Sequence, residues 1–126
     1  MPRNVLVVDD SMLIRHTVCR YLERIGYEVE AATNGQEALD LLEGEYRPDL
    51  IVTDLQMPKV SGSELITALK EKAATREIPI VILAGKKATS DGPQETRANY
   101  TIYKDIDIEA QLQKALSAAL DGAKAT

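Results

Sequence analysis

The stretch "NVLVVDDSM", residues 4–12, places four consecutive aliphatic residues directly before two adjacent carboxylates, Asp9 and Asp10. An unbroken aliphatic run of this length is typical of a strand that is buried on both faces, as in a parallel sheet covered by helices. The question that this stretch raises is why a buried strand should end at two negative charges, and the rest of the sequence supplies an answer.

Length, charge and cysteine content limit the class of protein. The chain has 126 residues and 44% hydrophobic residues, which is the size of one domain that buries roughly two-thirds of its unfolded surface. A net charge of -5 argues against nucleic acid or an anionic membrane as a partner. The single cysteine, Cys19, cannot form an internal disulfide, and no apolar run approaches the roughly 18 residues of a membrane span. We expect a soluble, cytoplasmic protein with one domain over residues 1–121 and a frayed tail or the start of a linker over 122–126.

Strand patterns and helix patterns alternate along the chain. The predicted strands are 5–8, 27–31, 49–54, 78–83 and 100–103. Helical spacing of apolar residues follows the first three strands and the last one, whereas only a short helix over 93–98 is predicted between the fourth and the fifth. This alternation predicts a doubly wound α/β domain whose five-stranded parallel sheet has the order 2-1-3-4-5, with helices on both faces.

Helix start signals support this division. Asn34 stands three residues before Glu37, and Ser61 three residues before Glu64, which is the spacing of helix N-caps. The final helix is predicted from a stripe of apolar residues, namely Ile108, Leu112, Leu116 and Leu120. An acid or serine at the end of the first strand could be no more than such a cap, and Asp10 and Ser11 are both suitable.

Three carboxylates meet in the predicted order, because the first and third strands are neighbours. Asp9 and Asp10 end the first strand, and Asp54 ends the third. At about 5 Å and an effective dielectric near 20, each pair of like charges costs roughly 3 kcal/mol, so the cluster requires a cation or a proton. Oxygen ligands open to solvent suit Mg²⁺. Since Lys104 ends the fifth strand, the residues predict a site for phosphoryl transfer onto Asp54.

The sequence resembles the receiver domain of two-component response regulators. The resemblance rests on "LVVDDS" at 6–11, "DLIVTDLQMP" at 49–58, "IPIVIL" at 78–83 and "YK" at 103–104. It implies a flavodoxin-like fold that takes a phosphoryl group from a sensor histidine kinase or a phosphotransfer protein. A domain of this kind is not an enzyme beyond its own phosphorylation and hydrolysis, and it passes the signal to a downstream protein.

The resemblance also implies residue roles. Asp54 matches the phosphoacceptor, and Asp9 and Asp10 match the acid pair that binds Mg²⁺. Gln56 would give its backbone carbonyl to the metal, and Lys104 matches the lysine that contacts the phosphoryl group.

Two positions depart from the family. Ala84 stands where the family has Ser or Thr, and Thr101 stands where it has Tyr or Phe. Both family residues belong to the switch that reports phosphorylation. Tyr100 and Tyr103 flank Thr101, and we expect both to point to the opposite face of the sheet. Lys104 is followed by Asp105 in place of the family's proline. We call Asp9, Asp10 and Asp54 the acceptor half of the site, and Ala84 and Thr101 the readout half.

Three functions compete on this evidence. The first is a Mg²⁺-dependent phosphoacceptor with an altered readout. The second is an interaction module whose binding does not depend on phosphorylation, because the readout half lacks the usual side chains. The third, an enzyme or a flavin or dinucleotide carrier, is disfavoured because no glycine-rich loop follows the first strand and the chain has neither Trp nor Phe.

Overall fold

A five-stranded parallel sheet forms the centre of the protein. The computed structural model describes residues 3–55, 60–85, 98–104 and 107–121. The strands are β1 (Asn4–Val8), β2 (Glu28–Ala32), β3 (Leu50–Asp54), β4 (Ile80–Ala84) and β5 (Tyr100–Tyr103). Their spatial order is β2-β1-β3-β4-β5, with every neighbouring pair parallel. The order predicted from the sequence is therefore confirmed, and β2 and β5 are the edge strands.

Helices follow most of the strands. They are α1 (Met12–Arg24), α2 (Gly35–Glu43), α3 (Gly62–Glu71) and α4 (Ile108–Leu116), the last continued by a π-helical turn over Ser117–Asp121. The short helix predicted over 93–98 falls almost entirely outside the described residues, as does the tail at 122–126. Within the described part of the chain, no helix has both the length and the apolar character of a membrane span.

Side chains from the sheet pack into two separate apolar layers. Neighbouring residues of a strand point to opposite faces, so Val5 and Val7 pack with α1 and α4, whereas Leu6 and Val8 pack with α2 and α3. All four are fully buried. We call these clusters the α1/α4 layer and the α2/α3 layer. Helices on both faces confirm the doubly wound architecture. They leave the carboxyl ends of the strands uncovered.

The helices begin at side-chain caps. Ser61 and Glu64 form the predicted capping box at α3, and the Asn34 side chain accepts a hydrogen bond from the Glu37 amide at α2. The cap of α1 is Ser11, whose hydroxyl accepts from the backbone N–H of Ile14 at 3.3 Å. Asp10 is therefore not needed as a cap, and its carboxylate is available to the site.

Candidate functional site

The three acids lie together at the carboxyl edge of the sheet. Val8 pairs with Thr53 in the β1–β3 ladder, so the residues that follow, Asp9 and Asp54, stand side by side. Asp9, Asp10 and Asp54 each offer a carboxylate oxygen, and these oxygens lie within 4.8 Å of one another. Asp9 is completely buried and Asp54 is 8% exposed, while Asp10 is open to solvent. The structure thus brings together the acids that the sequence singled out.

Asp9 is fixed by four polar contacts. Its Oδ1 accepts a hydrogen bond from the Ser11 amide at 2.8 Å, and its carbonyl oxygen accepts one from Arg15 Nη1 at 2.9 Å. Its own amide donates to the carbonyl oxygen of Ala32 at 3.2 Å. The remaining oxygen, Oδ2, lies 2.8 Å from Lys104 Nζ. A buried carboxylate held in this way has a fixed position against the other acids.

Lys104 lies at the same carboxyl edge of the sheet, at the end of the edge strand β5, and reaches across to the acid cluster. Its Nζ donates a hydrogen bond to Asp54 Oδ2 at 3.0 Å and forms an ion pair with Asp9 Oδ2. Among the described residues that oxygen accepts no hydrogen bond of regular geometry. Burial by itself lowers the pKa of Lys104, but the two carboxylates outweigh it and leave the pKa raised. The lysine therefore stays protonated and offsets part of the negative charge.

The donor set fits a hard divalent cation. Three carboxylates supply oxygens alone, two from buried residues and one from an exposed residue, and Mg²⁺ prefers oxygen ligands while keeping several waters. The buried Asp9 Oδ2, whose one polar contact among the described residues is the ion pair with Lys104, is a coordination point that a cation could share. Gln56, expected to contribute a backbone carbonyl, lies outside the described residues.

Two glycines allow the backbone to pack closely next to the acids. A Cβ on Gly62 would overlap the carbonyl oxygen of Asp54 and would lie 2.6 Å from the Cα of Leu55. The Gly62 amide also donates to the carbonyl oxygen of Leu55 at 2.8 Å. A Cβ on Gly35 would meet the backbone and side chain of Val60 in the same way. The first turns of α2 and α3 are thus packed against the chain that follows Asp54.

These supporting residues were missed by the sequence analysis. For Gly62 a signal was available, because a glycine directly after an N-cap serine weakens a helix start and so calls for a packing reason. Arg15 carried no comparable signal, since its contact with Asp9 joins a side chain to a main-chain oxygen.

The readout half occupies β4 and β5. Ala84 pairs with Tyr103, and Thr101 with Ile82. Ala84 and Ile82 pack in the α2/α3 layer, so Thr101 and Tyr103 share that face. The expectation that Tyr103 points away from Thr101 is wrong, because residues two apart in a strand point to the same side. Tyr100 does lie on the opposite face, against the α1/α4 layer. Asp105 lies outside the described residues.

Comparisons with known proteins agree with this geometry. The sequence model of the response regulator receiver domain matches residues 5–117. The polar-differentiation response regulator DivK of Brucella anthropi is 43% identical over 81 residues, which are 64% of this chain and 65% of that protein. The response regulator MprA of Mycolicibacterium vanbaalenii is 38% identical over 91 residues, which are 72% of this chain but 38% of that protein.

A solved structure extends the likeness to the whole fold. The chemotaxis response regulator CheY4 of Vibrio cholerae superposes with a TM-score of 0.85 at 32% identity, over 95% of this chain and all of that one. The matched segments span less than two-thirds of the two curated relatives, whereas the solved neighbour is covered completely. The chain belongs to the response regulator receiver domain family of two-component signalling systems.

Proposed function

We propose that this chain accepts a phosphoryl group on Asp54 from a phosphohistidine of a sensor histidine kinase or a phosphotransfer protein. The observation that carries the proposal is the juxtaposition of three carboxylates within 4.8 Å and a lysine that contacts two of them. Receiver domains in general are phosphoacceptors and not enzymes that turn over a separate substrate, and they bind Mg²⁺ at an acidic pocket.

The transfer can be written from the residues of this site. A carboxylate oxygen of Asp54 forms the new bond to phosphorus while the bond from phosphorus to the histidine nitrogen breaks. The electron pair of that bond returns to the imidazole, which takes a proton from solvent. Lys104, already at Asp54 Oδ2, supplies a positive charge to the phosphoryl oxygens. The carboxylate is nearly buried, so bulk water is largely kept away from the acyl phosphate.

Asp9, Asp10 and Asp54 are the residues that would hold Mg²⁺, together with the backbone carbonyl of Gln56. When bound, the ion neutralises charge that develops on the transferred group. The Ser11 amide orients the Asp9 carboxylate, and the Arg15 guanidinium holds the main-chain carbonyl of Asp9. Asp10 is exposed and lies at the solvent side of the cluster.

Exposed apolar side chains support a protein as the phosphodonor. Met12 and Leu13, in the first turn of α1, are 74% and 73% exposed, and only Ser11 separates them from Asp10 in the chain. An apolar pair beside a charged site is suited to docking a protein surface.

The test is intact mass after incubation with Mg²⁺ and phosphoramidate. We expect one phosphoryl adduct, lost when EDTA is added beforehand and lost in Asp54→Asn. Asp49→Asn is the matched control, because Asp49 directly precedes the opposite end of β3, where its Oδ2 accepts a hydrogen bond from the Asn4 amide at 2.8 Å. An adduct that persists in Asp54→Asn, or the absence of any adduct in the unaltered chain, would contradict the proposal.

A second candidate function is supported by the readout half. Ala84 has no hydroxyl to bond a phosphoryl oxygen, and Thr101 has no aromatic ring to move with it. The chain could therefore bind its partner equally well with and without the phosphoryl group, since a partner that makes the same contacts in both states does not shift the equilibrium between them. Amide NMR spectra with and without phosphoramidate distinguish the two: shifts that extend through β4, β5 and α4 support a switch, and shifts confined to the neighbourhood of Asp54 support the second function.

A further inference from the structure

One side chain of α4 bonds the backbone groups of the last residue of the edge strand β5. Gln111 Oε1 accepts a hydrogen bond from the Tyr103 amide at 2.9 Å, and its Nε2 donates to the Tyr103 carbonyl oxygen at 2.8 Å. The same Nε2 donates to the carbonyl oxygen of Asp107 at 3.2 Å. Both amide hydrogens and the amide oxygen of Gln111 are therefore used, and only one orientation of the carboxamide satisfies all three contacts.

These contacts fall where the sheet ends. Tyr103 is the last residue of the edge strand, and its N–H and C=O point away from β4. The carboxamide of Gln111 takes the place that a peptide group of a further strand would occupy. The next amide, that of Lys104, points inward and donates to the carbonyl oxygens of Ala84 at 3.0 Å and Gly85 at 3.1 Å. The chain at 103–104 is thus held from both sides.

The position of Lys104 depends on this segment. Its side chain is long and has about 2 kcal/mol of rotamer entropy to lose, yet Nζ must lie between Asp9 and Asp54. The residue that follows is Asp105, so no proline ring restricts the backbone there. Non-covalent contacts must supply the restraint, and the Gln111 carboxamide bonds both Tyr103 and Asp107, which stand on either side of Lys104 in the chain.

We propose that Gln111 is a positioning residue for Lys104: it anchors the end of β5 so that Nζ stays at the two buried carboxylates. The inference rests on the proposed function in so far as Lys104 is the phosphoryl contact. Gln111 itself touches none of the reacting groups. Loss of its carboxamide leaves Asp9 and Asp54 unchanged in the sequence and frees the strand end that carries the lysine.

The primary test is a spectroscopic signature of Lys104 that does not require phosphorylation. In protein labelled with ¹³C at the lysine Cε, the Lys104 signal is assigned with Lys104→Arg. In Gln111→Met, which keeps the length of the side chain without its hydrogen bonds, we expect this signal to move toward that of the exposed Lys114. The matched control is Gln113→Met, because Gln113 lies on the same helix and is exposed; its Lys104 signal is expected to stay in place.

A kinetic readout accompanies the spectrum. At saturating Mg²⁺, the rate of adduct formation with phosphoramidate should fall roughly two- to tenfold in Gln111→Met, the range that corresponds to one hydrogen bond. Gln113→Met should leave it unchanged. If the unaltered chain forms no adduct, the proposed function fails, while the lysine spectrum still tests the role of Gln111.

The variants also guard against misfolding as the cause. Gln111→Glu keeps an oxygen for the Tyr103 amide and loses the donor to the Tyr103 carbonyl, so an intermediate Lys104 signal is expected in it, even if Gln111→Met fails to fold. A Lys104 signal that stays in place in the folded Gln111 variants, or that moves equally in Gln113→Met, would overturn the proposal.

Discussion

The acceptor half and the readout half of the site are built differently. In the acceptor half, Asp9 is completely buried and four of its polar groups are engaged, and a glycine packs directly against the Asp54 carbonyl. In the readout half, the two positions carry small side chains, Ala84 and Thr101, and Thr101 lies on an edge strand. Under the proposed function, the difference indicates that positioning Asp54 and reporting its state are separable tasks, each supported by its own residues. Lys104 is the side chain that joins them.

The largest effect is expected where the acceptor half is most tightly packed. Gly62→Ala places a Cβ against the backbone of Asp54 and Leu55, which cannot move aside as a side-chain end could. We expect the free energy of unfolding to fall by about 3 kcal/mol in urea titrations. Gly44→Ala is the matched control, since its Cβ would meet nothing nearer than the Leu41 carbonyl oxygen at 3.8 Å and its φ is -82°. That variant should stay within about 1 kcal/mol of the parent. Equal losses in both variants would contradict the contrast in packing.

The next effect concerns the residue that joins the halves. Lys104→Met leaves the Asp9 and Asp54 carboxylates without their cation, and we expect a loss of about 1 to 2 kcal/mol at pH 7 for this partly exposed pair. Because the pKa of Lys104 is raised above 10.5 on folding, its stabilising charge is fully present below that pH and is lost as the pH rises through the higher folded value. The difference between parent and variant should therefore be constant from pH 7 to 10 and shrink above pH 10.5.

Urea titrations at several pH values measure that difference, with Lys114→Met as the control for removing an exposed lysine. A difference that grows above pH 10.5 would contradict the predicted pH dependence, and one equal to that of Lys114→Met would show that the contact with the two acids contributes nothing to stability.

A smaller effect is expected from restoring a hydroxyl to the readout half. Ala84→Thr adds the group that the family carries there, and Ala84→Val adds the same volume without it. We expect the half-life of the phosphoryl adduct to differ between these two variants by roughly two- to tenfold, as one hydrogen bond would give. Intact mass at successive times after removal of the donor measures it. The same half-life in both variants would mean that a hydroxyl at position 84 does not reach the phosphoryl group on Asp54.

The smallest effect tests direct coupling through the helices. Arg24 of α1 and Glu109 of α4 form an ion pair at 3.0 Å whose side chains are 63% and 47% exposed. A double-mutant cycle with Arg24→Met and Glu109→Gln should give a coupling of about 0.2 to 0.5 kcal/mol that falls as salt is added. A coupling above about 1 kcal/mol that salt does not reduce would mean that the two helices communicate more strongly than their exposed contact allows.

Much of the architecture could be predicted because it follows from local patterns. The aliphatic runs gave the strands, and the place where each run stops put Asp9, Asp54 and Lys104 at one edge. The spacing of three residues between Ser61 and Glu64 predicted the start of α3. In each case the deciding information lies within one segment of chain, where periodicity and capping act.

The features that the sequence did not predict depend on contacts between distant segments. The close approach of Gly62 to Asp54 requires the position of α3 against the sheet, and the contact of Gln111 with Tyr103 joins a helix side chain to a strand backbone. Neither follows a period. The prediction for the direction of Tyr103 failed for another reason. The rule of alternation holds, but Tyr103 is two residues from Thr101 and was treated as if it were one.

The carboxamide of Gln111 also affects the association of separate molecules of this protein. An edge strand with open N–H and C=O groups is a template onto which another chain can add a strand, and such addition leads toward aggregation. At Tyr103 those groups are already engaged by the protein's own helix. We expect Gln111→Met to aggregate at a lower protein concentration than the parent, by pairing along β5. One side-chain amide would then contribute to colloidal stability as well as to the site.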